Sequence, residues 1–279
     1  MTSMDAGVLV TGATGKTGRR IAARLRAAGV PVREGSRRAE PPFDWEDRST
    51  WDAALRGVGA AYLTYFPDLA VPGAAETVGA LAEHAVGLGV RRLVLLSGRG
   101  EVGAQYAEQL VQASGADCTV IRSAWFMQNF SEGHLLDPVL SGEITLPAGD
   151  IAEPFVDVDD IADIAIAAFS DDRHIGQVYE VTGPRVMTFT DAAAAIGAAI
   201  GRDVEYRDVS GPEARQQLVQ GGLPAEMADD LIALFAEVLD GHNAYLSDGV
   251  RKALDREPRD FADFLRAAAA TGVWSVQAA

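Results

Sequence analysis

Residues 8–18 read Val8-Leu9-Val10-Thr11-Gly12-Ala13-Thr14-Gly15-Lys16-Thr17-Gly18. A short apolar run ends at Gly12, the first of three glycines at three-residue spacing. Residues 17–28 then carry Ile21, Leu25 and Ala28 on one face at helical spacing, with Gly29 placed to end the helix. A strand that turns through glycines into a helix is the context in which a Gly-x-x-Gly-x-x-Gly run holds a pyrophosphate. Gly12 allows the sharp exit from the strand, Gly15 lets the backbone approach the phosphates, and Gly18 lets helix and strand pack closely. The helix N-terminus offers N–H groups and partial positive charge to an anion. A tight turn with no ligand is the bland alternative.

The same rhythm continues outward. Strands are expected over 30–36, 60–64, 92–97 and 118–122, with helices over 74–88 and 104–114. Leu93-Val94-Leu95-Leu96 is apolar without alternation, as a parallel strand buried on both faces would be. The expected fold class is α/β: a Rossmann-type doubly wound parallel sheet with a smaller C-terminal substrate lobe. Residues 1–123 form the dinucleotide-binding core. Residues 124–279 form the substrate lobe, with some elements returning to the core. After Ser123 the rhythm weakens, and Pro138, Pro147 and Pro154 punctuate the chain. Helices are expected from Asp159 or Asp160 to Phe169, from a Thr190 cap to Gly201, over 225–239 and over 261–270. Gly221-Gly222-Leu223-Pro224 and the helix behind it read as a lid or as a surface hairpin of helices.

Composition limits the partners. The 279-residue chain has a net charge of −16 and is 48% apolar. Such acidity repels nucleic acid and anionic membranes, and leaves a small-molecule substrate as the expected partner. The oligomeric state is not legible. Met1-Thr2-Ser3-Met4-Asp5 lacks the basic and apolar regions of an export signal, and no window is apolar enough to span a bilayer, so a cytoplasmic location is expected. Cys118 is the lone cysteine and reads as a small buried hydrophobe. His84, His134, His174 and His242 lie far apart, so no metal is expected.

The end of the second strand selects the dinucleotide. Arg33-Glu34-Gly35-Ser36-Arg37-Arg38 holds one acid inside the strand and a hydroxyl with two arginines just beyond it. A carboxylate here would suit the ribose 2′-OH of NAD, whereas arginines suit the 2′-phosphate of NADP. NADP(H) is expected over NAD(H). The alternative is a solvated basic loop.

Thr11-Gly12-Ala13-Thr14-Gly15-Lys16-Thr17-Gly18 and Ser97-Gly98 after an apolar strand resemble the NmrA-like branch of the atypical short-chain dehydrogenase/reductases. So do Ile121-Arg122-Ser123-Ala124-Trp125-Phe126-Met127-Gln128-Asn129-Phe130 and Pro154-Phe155-Val156-Asp157-Val158-Asp159-Asp160-Ile161-Ala162. Phe43-Asp44-Trp45, Thr50-Trp51 and Thr271-Gly272-Val273-Trp274 are similar to the ergot-alkaloid (agroclavine/festuclavine) dehydrogenase type, which reduces an iminium with NADPH. The resemblance implies a cofactor site of Gly12, Ala13, Thr14, Gly15, Lys16, Thr17 and Gly18, with Ser36, Arg37 and Arg38 at the 2′-phosphate. It places Thr64 and Tyr65 beside the adenine or ribose, and Ser97, Gly98 and Arg99 near the nicotinamide ribose. Trp125, Phe126 and Asn129 would begin the substrate pocket, although Trp125 and Phe126 read equally as core.

Most short-chain dehydrogenases protonate substrate from a Tyr-x-x-x-Lys pair, the lysine lowering the tyrosine pKa. Here Tyr106 is the candidate catalytic residue, but Leu110 stands where the lysine belongs, and the only lysines are Lys16 and Lys252. Without that lysine, Tyr106 reads first as a packing or pocket residue. Two interpretations stay open. One is an NADPH-dependent reductase relying on positioning, acting on a C=N, conjugated C=C or C=O group of a small, largely apolar, secondary-metabolite-like substrate. Asp157 and Glu101 are then candidate carboxylates by position, or else loop and cap residues. The other is a non-catalytic NAD(P)-binding redox sensor of the NmrA kind. A nucleotide-sugar epimerase or dehydratase would also want the Tyr/Lys pair.

Overall fold

The computed structural model describes residues 6–275. The stretch Met1–Asp5, read above for an export signal, lies outside them. The chain divides into two compact units. One runs up to Ser123 and includes Val158–Val181 and Asp248–Arg256. The other holds Ala124–Asp157, Thr182–Ser247 and the residues from Glu257 on.

The first unit opens with β1 (Val8–Thr11), α1 (Lys16–Ala27), β2 (Val32–Gly35), α2 (Trp51–Leu55), β3 (Ala60–Leu63), α3 (Ala74–Gly87), β4 (Arg92–Gly98), α4 (Val102–Ala113) and β5 (Asp117–Ser123). The chain then makes α5 (Asn129–Glu132), α6 (Leu136–Ser141), β6 (Glu143–Leu146) and β7 (Ala152–Glu153) in the second unit. It returns to the first with α7 (Val158–Ser170) and β8 (Val178–Val181). β9 (Met187–Thr188), α8 (Phe189–Ile200), β10 (Glu205–Asp208), α9 (Gly211–Gln220) and α10 (Ala225–Val238) belong to the second unit. α11 (Gly249–Leu254) is back in the first, and α12 (Phe261–Ala270) ends the second.

The main sheet has six parallel strands in the order β2-β1-β3-β4-β5-β8. Strand order therefore reverses at β1, which pairs with β2 on one side and β3 on the other. Such a reversal leaves a crevice at the carboxyl ends of the two central strands, where ligands of doubly wound sheets bind. Leu9, Ala61, Leu63, Leu93, Leu95 and Val120 point to one face, against apolar residues of α2, α3 and α4. The α1 and α7 helices pack together and are joined by Arg24, whose guanidinium bonds Asp159 at 2.6 Å and Asp163 at 3.0 Å. The eighth strand was not foreseen. Its residues Val-Tyr-Glu-Val are few, and they pair with β5 across the long excursion through the second unit.

The core of the second unit is aromatic. Phe130, Phe155, Phe189 and Phe261 are buried, with neighbouring ring centroids 5.3–6.4 Å apart. The expected Thr190 cap is corrected. Thr188 caps α8, its hydroxyl accepting from the Asp191 N–H while the Asp191 carboxylate accepts from the Thr188 N–H. A reciprocal capping box outcompetes the later threonine because it satisfies two N–H groups at once. The segment before Gly221 is helical too, so α9 and α10 form a hairpin, tied by a bidentate Arg215–Asp229 pair. Trp274 is buried, donates Nε1–H to the Phe130 carbonyl at 2.9 Å and packs edge-on against Phe264. Trp274→Ala would lose that packing and orphan the carbonyl, and is expected to destabilise the protein by about 3–5 kcal/mol in a denaturant titration.

Candidate functional site

The glycine turn sits at the end of β1, beside the point where strand order reverses. Gly12 has φ +59°, and a Cβ there would lie 2.7 Å from Thr64 Cγ2. The Gly15 N–H donates to the Gly12 carbonyl at 2.8 Å, closing the turn. Gly18 lies flat on it: an ideal Cβ at Gly18 would be 2.2 Å from the Gly12 oxygen. Ala13, Thr17 and Gly18 are buried, Lys16 is half-buried, and Thr14 and Gly15 are exposed. The turn is tied to its neighbours through Thr11. The Thr11 hydroxyl accepts from the Thr64 N–H at 2.8 Å and is 3.1 Å from the Tyr62 carbonyl, to which it donates.

α1 has Gly15 at its N-cap, so it has no side-chain cap, and it has no acid in its first turn. A helix start leaves N–H groups without intrahelical partners, and here no carboxylate of the first turn competes for them. The turn thus fits an anionic pyrophosphate by shape and by charge.

β2 ends at Gly35, packed against Thr11 so closely that a Cβ would lie 2.8 Å from the Thr11 Cα. Its Glu34 carboxylate is engaged by Arg26 in an ion pair. Arg33 donates to the carbonyls of Ala53, Ala54 and Arg56 and so closes α2. Ser36 is half-buried just beyond the strand; Arg37 and Arg38 are exposed. No carboxylate among the described residues pairs with Arg37 or Arg38. In a chain of charge −16, that leaves two adjacent guanidiniums open to an outside anion.

Thr64 and Tyr65 follow β3 and are half-buried. The Tyr65 ring lies 5.2 Å from that of Trp45, which in turn meets Phe43 edge-on at 5.1 Å. Trp51 is buried, and its Nε1–H donates to the Asp44 carbonyl at 2.8 Å. The segment 43–51 is therefore folded onto its own unit by aromatic packing.

The end of β4 carries a polar cluster that the sequence reading missed. Ser97 donates its hydroxyl proton to Glu108 Oε1 at 2.6 Å. Arg122, in β5, donates Nε–H to the same oxygen at 2.8 Å and Nη2–H to Oε2 at 2.6 Å. Glu180, in β8, lies 3.6 Å from Arg122 Nη1 and 3.6 Å from Arg99 Nε. Ser97, Arg99 and Glu108 are all buried. Hydrogen bonds from Arg122 to Glu108 hold that guanidinium above its ordinary range. Burial, then the Glu108 charge, push the Cys118 thiol up to about 12, so it is an inert core group. The Glu101 carboxylate rests over Gly98, occupying the space a Cβ would need.

Tyr106 stands apart from this cluster. The buried stripe of α4 is Ala104, Ala107, Glu108 and Val111. At 100° per residue, Tyr106 falls nearly opposite that stripe, and it is 46% exposed. Leu110, one turn on, packs against Gly79 of α3. The Tyr-x-x-x-Leu spacing is thus in the wrong helical phase to face the strand ends, whatever occupies position 110.

Trp125, Phe126 and Asn129 are half-buried in the second unit. Trp125 lies 5.3 Å from Phe189, 5.6 Å from Phe235 and 6.2 Å from His134, ring to ring. Phe126 bridges to Val156, and Asn129 opens α5. Asp157 is buried and accepts from Gln128 Nε2 at 2.8 Å. No helix among the described residues is long and apolar enough to cross a membrane.

Three curated relatives match the chain nearly end to end. The uncharacterized oxidoreductase YesF of Bacillus subtilis is 34% identical over 282 residues, covering 96% of this chain and 98% of its own. An NAD(P)H azoreductase of Xenophilus azovorans is 31% identical, covering 94% and 98%. An agroclavine dehydrogenase of Claviceps fusiformis is also 31% identical, covering 92% and 96%. The model of the NmrA-like family matches residues 105–265, more than half of the chain. By that match and by relatives of this identity and coverage, this chain belongs to the NmrA-like family.

Proposed function

We propose that this NAD(P)H-dependent oxidoreductase takes NADPH as its reductant and reduces a C=N, conjugated C=C or C=O group of a small, largely apolar substrate. The observation that carries the choice of cofactor is the pair Arg37 and Arg38 beyond β2, beside a Glu34 already held by Arg26. The backbone of Gly12–Gly18 would hold the pyrophosphate, and Ser36, Arg37 and Arg38 the 2′-phosphate. Thr64 and Tyr65 would flank the adenosine, and Ser97, Gly98 and Arg99 the nicotinamide ribose. Bound NADPH would supply a hydride to the acceptor.

The chain's own residues suggest what kind of acceptor. The buried stripe of α4 offers two alanines and a carboxylate where a tyrosine–lysine pair would supply a proton. Substrates that need little acid assistance, such as an iminium or an activated C=C, suit such a wall. Trp125, Phe126 and Asn129 are the proposed substrate contacts, and residues 124–279, apart from the elements that return to the first unit, the substrate-binding part, with 1–123 binding the cofactor. The relatives' names support reduction and differ in acceptor: one is an azoreductase, another an agroclavine dehydrogenase.

The same proton-poor wall favours a second reading, a dinucleotide-binding sensor that does no chemistry. One experiment separates the two. NADPH oxidation is followed with a panel of imines, quinones, enones and azo compounds. Turnover of at least one class is expected. Tight NADPH binding with no turnover on any member would leave the sensor reading.

A further inference from the structure

We infer that Ser97, Glu108 and Arg122 form a fixed hydrogen-bond acceptor at the end of β4, in which Ser97 anchors a donor group of the bound dinucleotide and Glu108 is the positioning residue that sets the polarity of Ser97. The inference rests on the NADPH reading above and adds a role for Glu108 and Arg122.

The argument is one of proton count. A serine hydroxyl has one proton and two lone pairs. The Ser97 proton goes to Glu108 Oε1. A carboxylate that accepts from both Nε and Nη2 of one guanidinium is fixed in its plane and has no proton to return. Burial of Ser97 and Glu108 keeps water from competing for these bonds. No other described group hydrogen-bonds to the Ser97 hydroxyl, so what it has left to offer is lone pairs. A ligand hydroxyl or amide N–H can donate to it. A reacting alkoxide or amide anion cannot take a proton from it.

The placement fits that task. Ser97 is the penultimate residue of β4, at the carboxyl edge where doubly wound sheets bind ligands. Strand alternation puts Leu93, Leu95 and Ser97 on the α4 side of the sheet, and Cys118, Val120 and Arg122 likewise in β5. Glu108 sits on the α4 stripe that faces them. The three side chains therefore meet because three separate periodicities agree, not because one loop gathers them.

The test is a double-mutant cycle on NADPH binding, read by fluorescence titration of the full chain, with thermal unfolding followed alongside. Ser97→Ala is expected to weaken NADPH binding about ten-fold, the scale of one hydrogen bond. Glu108→Gln is expected to weaken it comparably. Either way round, the amide turns an NH2 toward a donor, Arg122 Nη2–H at one end or Arg122 Nε–H and the Ser97 hydroxyl at the other, so the charged acceptor held in place by Arg122 is lost and the polarity of Ser97 is no longer fixed. The double variant should bind no more weakly than Glu108→Gln alone, because both changes remove the same bond. In turnover, the Ser97→Ala loss should fall on KM for NADPH more than on kcat. Unchanged NADPH affinity in Ser97→Ala overturns the inference. So does additive loss in the cycle, or a fall confined to kcat, which would make Ser97 a proton donor. Should Glu108→Gln fail to fold, Ser97→Ala still decides through its affinity and its KM-to-kcat split. Failure of the unmodified protein to bind NADPH would overturn the cofactor reading itself, a result distinct from all of these.

Discussion

Gly18→Ala is expected to abolish measurable NADPH binding and to destabilise the protein by about 1–3 kcal/mol. The added Cβ would sit 2.2 Å from the Gly12 oxygen, 2.7 Å from the Gly12 carbonyl carbon and 3.1 Å from the Ala13 Cα. All three are backbone atoms, so no side chain can rotate out of the way. Relief requires α1 to move off β1, or the Gly12–Ala13 segment to move off α1. Either displacement takes the helix N-terminus out of line with the turn. Pyrophosphate recognition by backbone N–H groups tolerates little of this, because the groups converge only while the turn keeps its shape. The loss of binding should therefore exceed what the lost stability alone would give. A matched control exists in α3. Gly87 has no atom within 4 Å of an added Cβ and no positive φ. There Gly87→Ala should raise stability by up to about 1 kcal/mol and leave NADPH binding unchanged. Circular dichroism melts and a fluorescence titration on both variants check the pair. Wild-type affinity in Gly18→Ala would remove the turn from the cofactor site.

The parts of this fold that could be read in advance are those in which local pattern and tertiary role coincide. β1, β3 and β4 carry unbroken apolar runs buried on both faces, and α1, α3 and α4 carry a buried stripe at helical spacing, so their existence followed from local pattern alone. β10 was not legible. Glu205-Tyr206-Arg207-Asp208 is mostly exposed and has no apolar alternation, and its parallel partner β6 lies about 60 residues earlier. Its strand character comes from that partner and not from its own residues. The two site-level surprises have one cause. Tyr106 drew attention through a four-residue spacing, but spacing without helical phase does not say where a side chain points. Phase was available: Ala104, Ala107 and Val111 define the buried stripe, and Glu108 is the one charged residue on it. A carboxylate on an apolar stripe needs a buried partner. Arg122, two residues beyond Val120 on the same side of β5, was the arginine in position to supply it. The glycine turn was legible for the opposite reason: its chemistry is carried by backbone, and the residues that permit that backbone are few.

Replacing Arg37 and Arg38 together by alanine is expected to weaken NADPH binding about 100-fold while changing NADH binding by no more than about two-fold. Charge-assisted hydrogen bonds are each worth about 1.5–3 kcal/mol, and two that share one phosphate add less than fully, which leaves about 3 kcal/mol. The specificity of the effect follows from what surrounds the pair. Glu34 is engaged by Arg26 and Arg33 by the carbonyls that end α2. Neither is available to take over the role of the lost guanidiniums, nor to grip a ribose 2′-OH in their absence. No ion pair among the described residues is broken by the double change, so thermal stability should stay within about 0.5 kcal/mol of wild type. Because both side chains are exposed, salt should act on them strongly. Raising ionic strength from about 0.01 M to 0.15 M shortens the Debye length from about 30 Å to 8 Å, and NADPH affinity should fall across that range in the wild type but hardly in the double variant. Equal losses for NADPH and NADH would mean that the arginines grip a group common to both dinucleotides. No loss for either would return them to a solvated loop, and with it the case for NADPH.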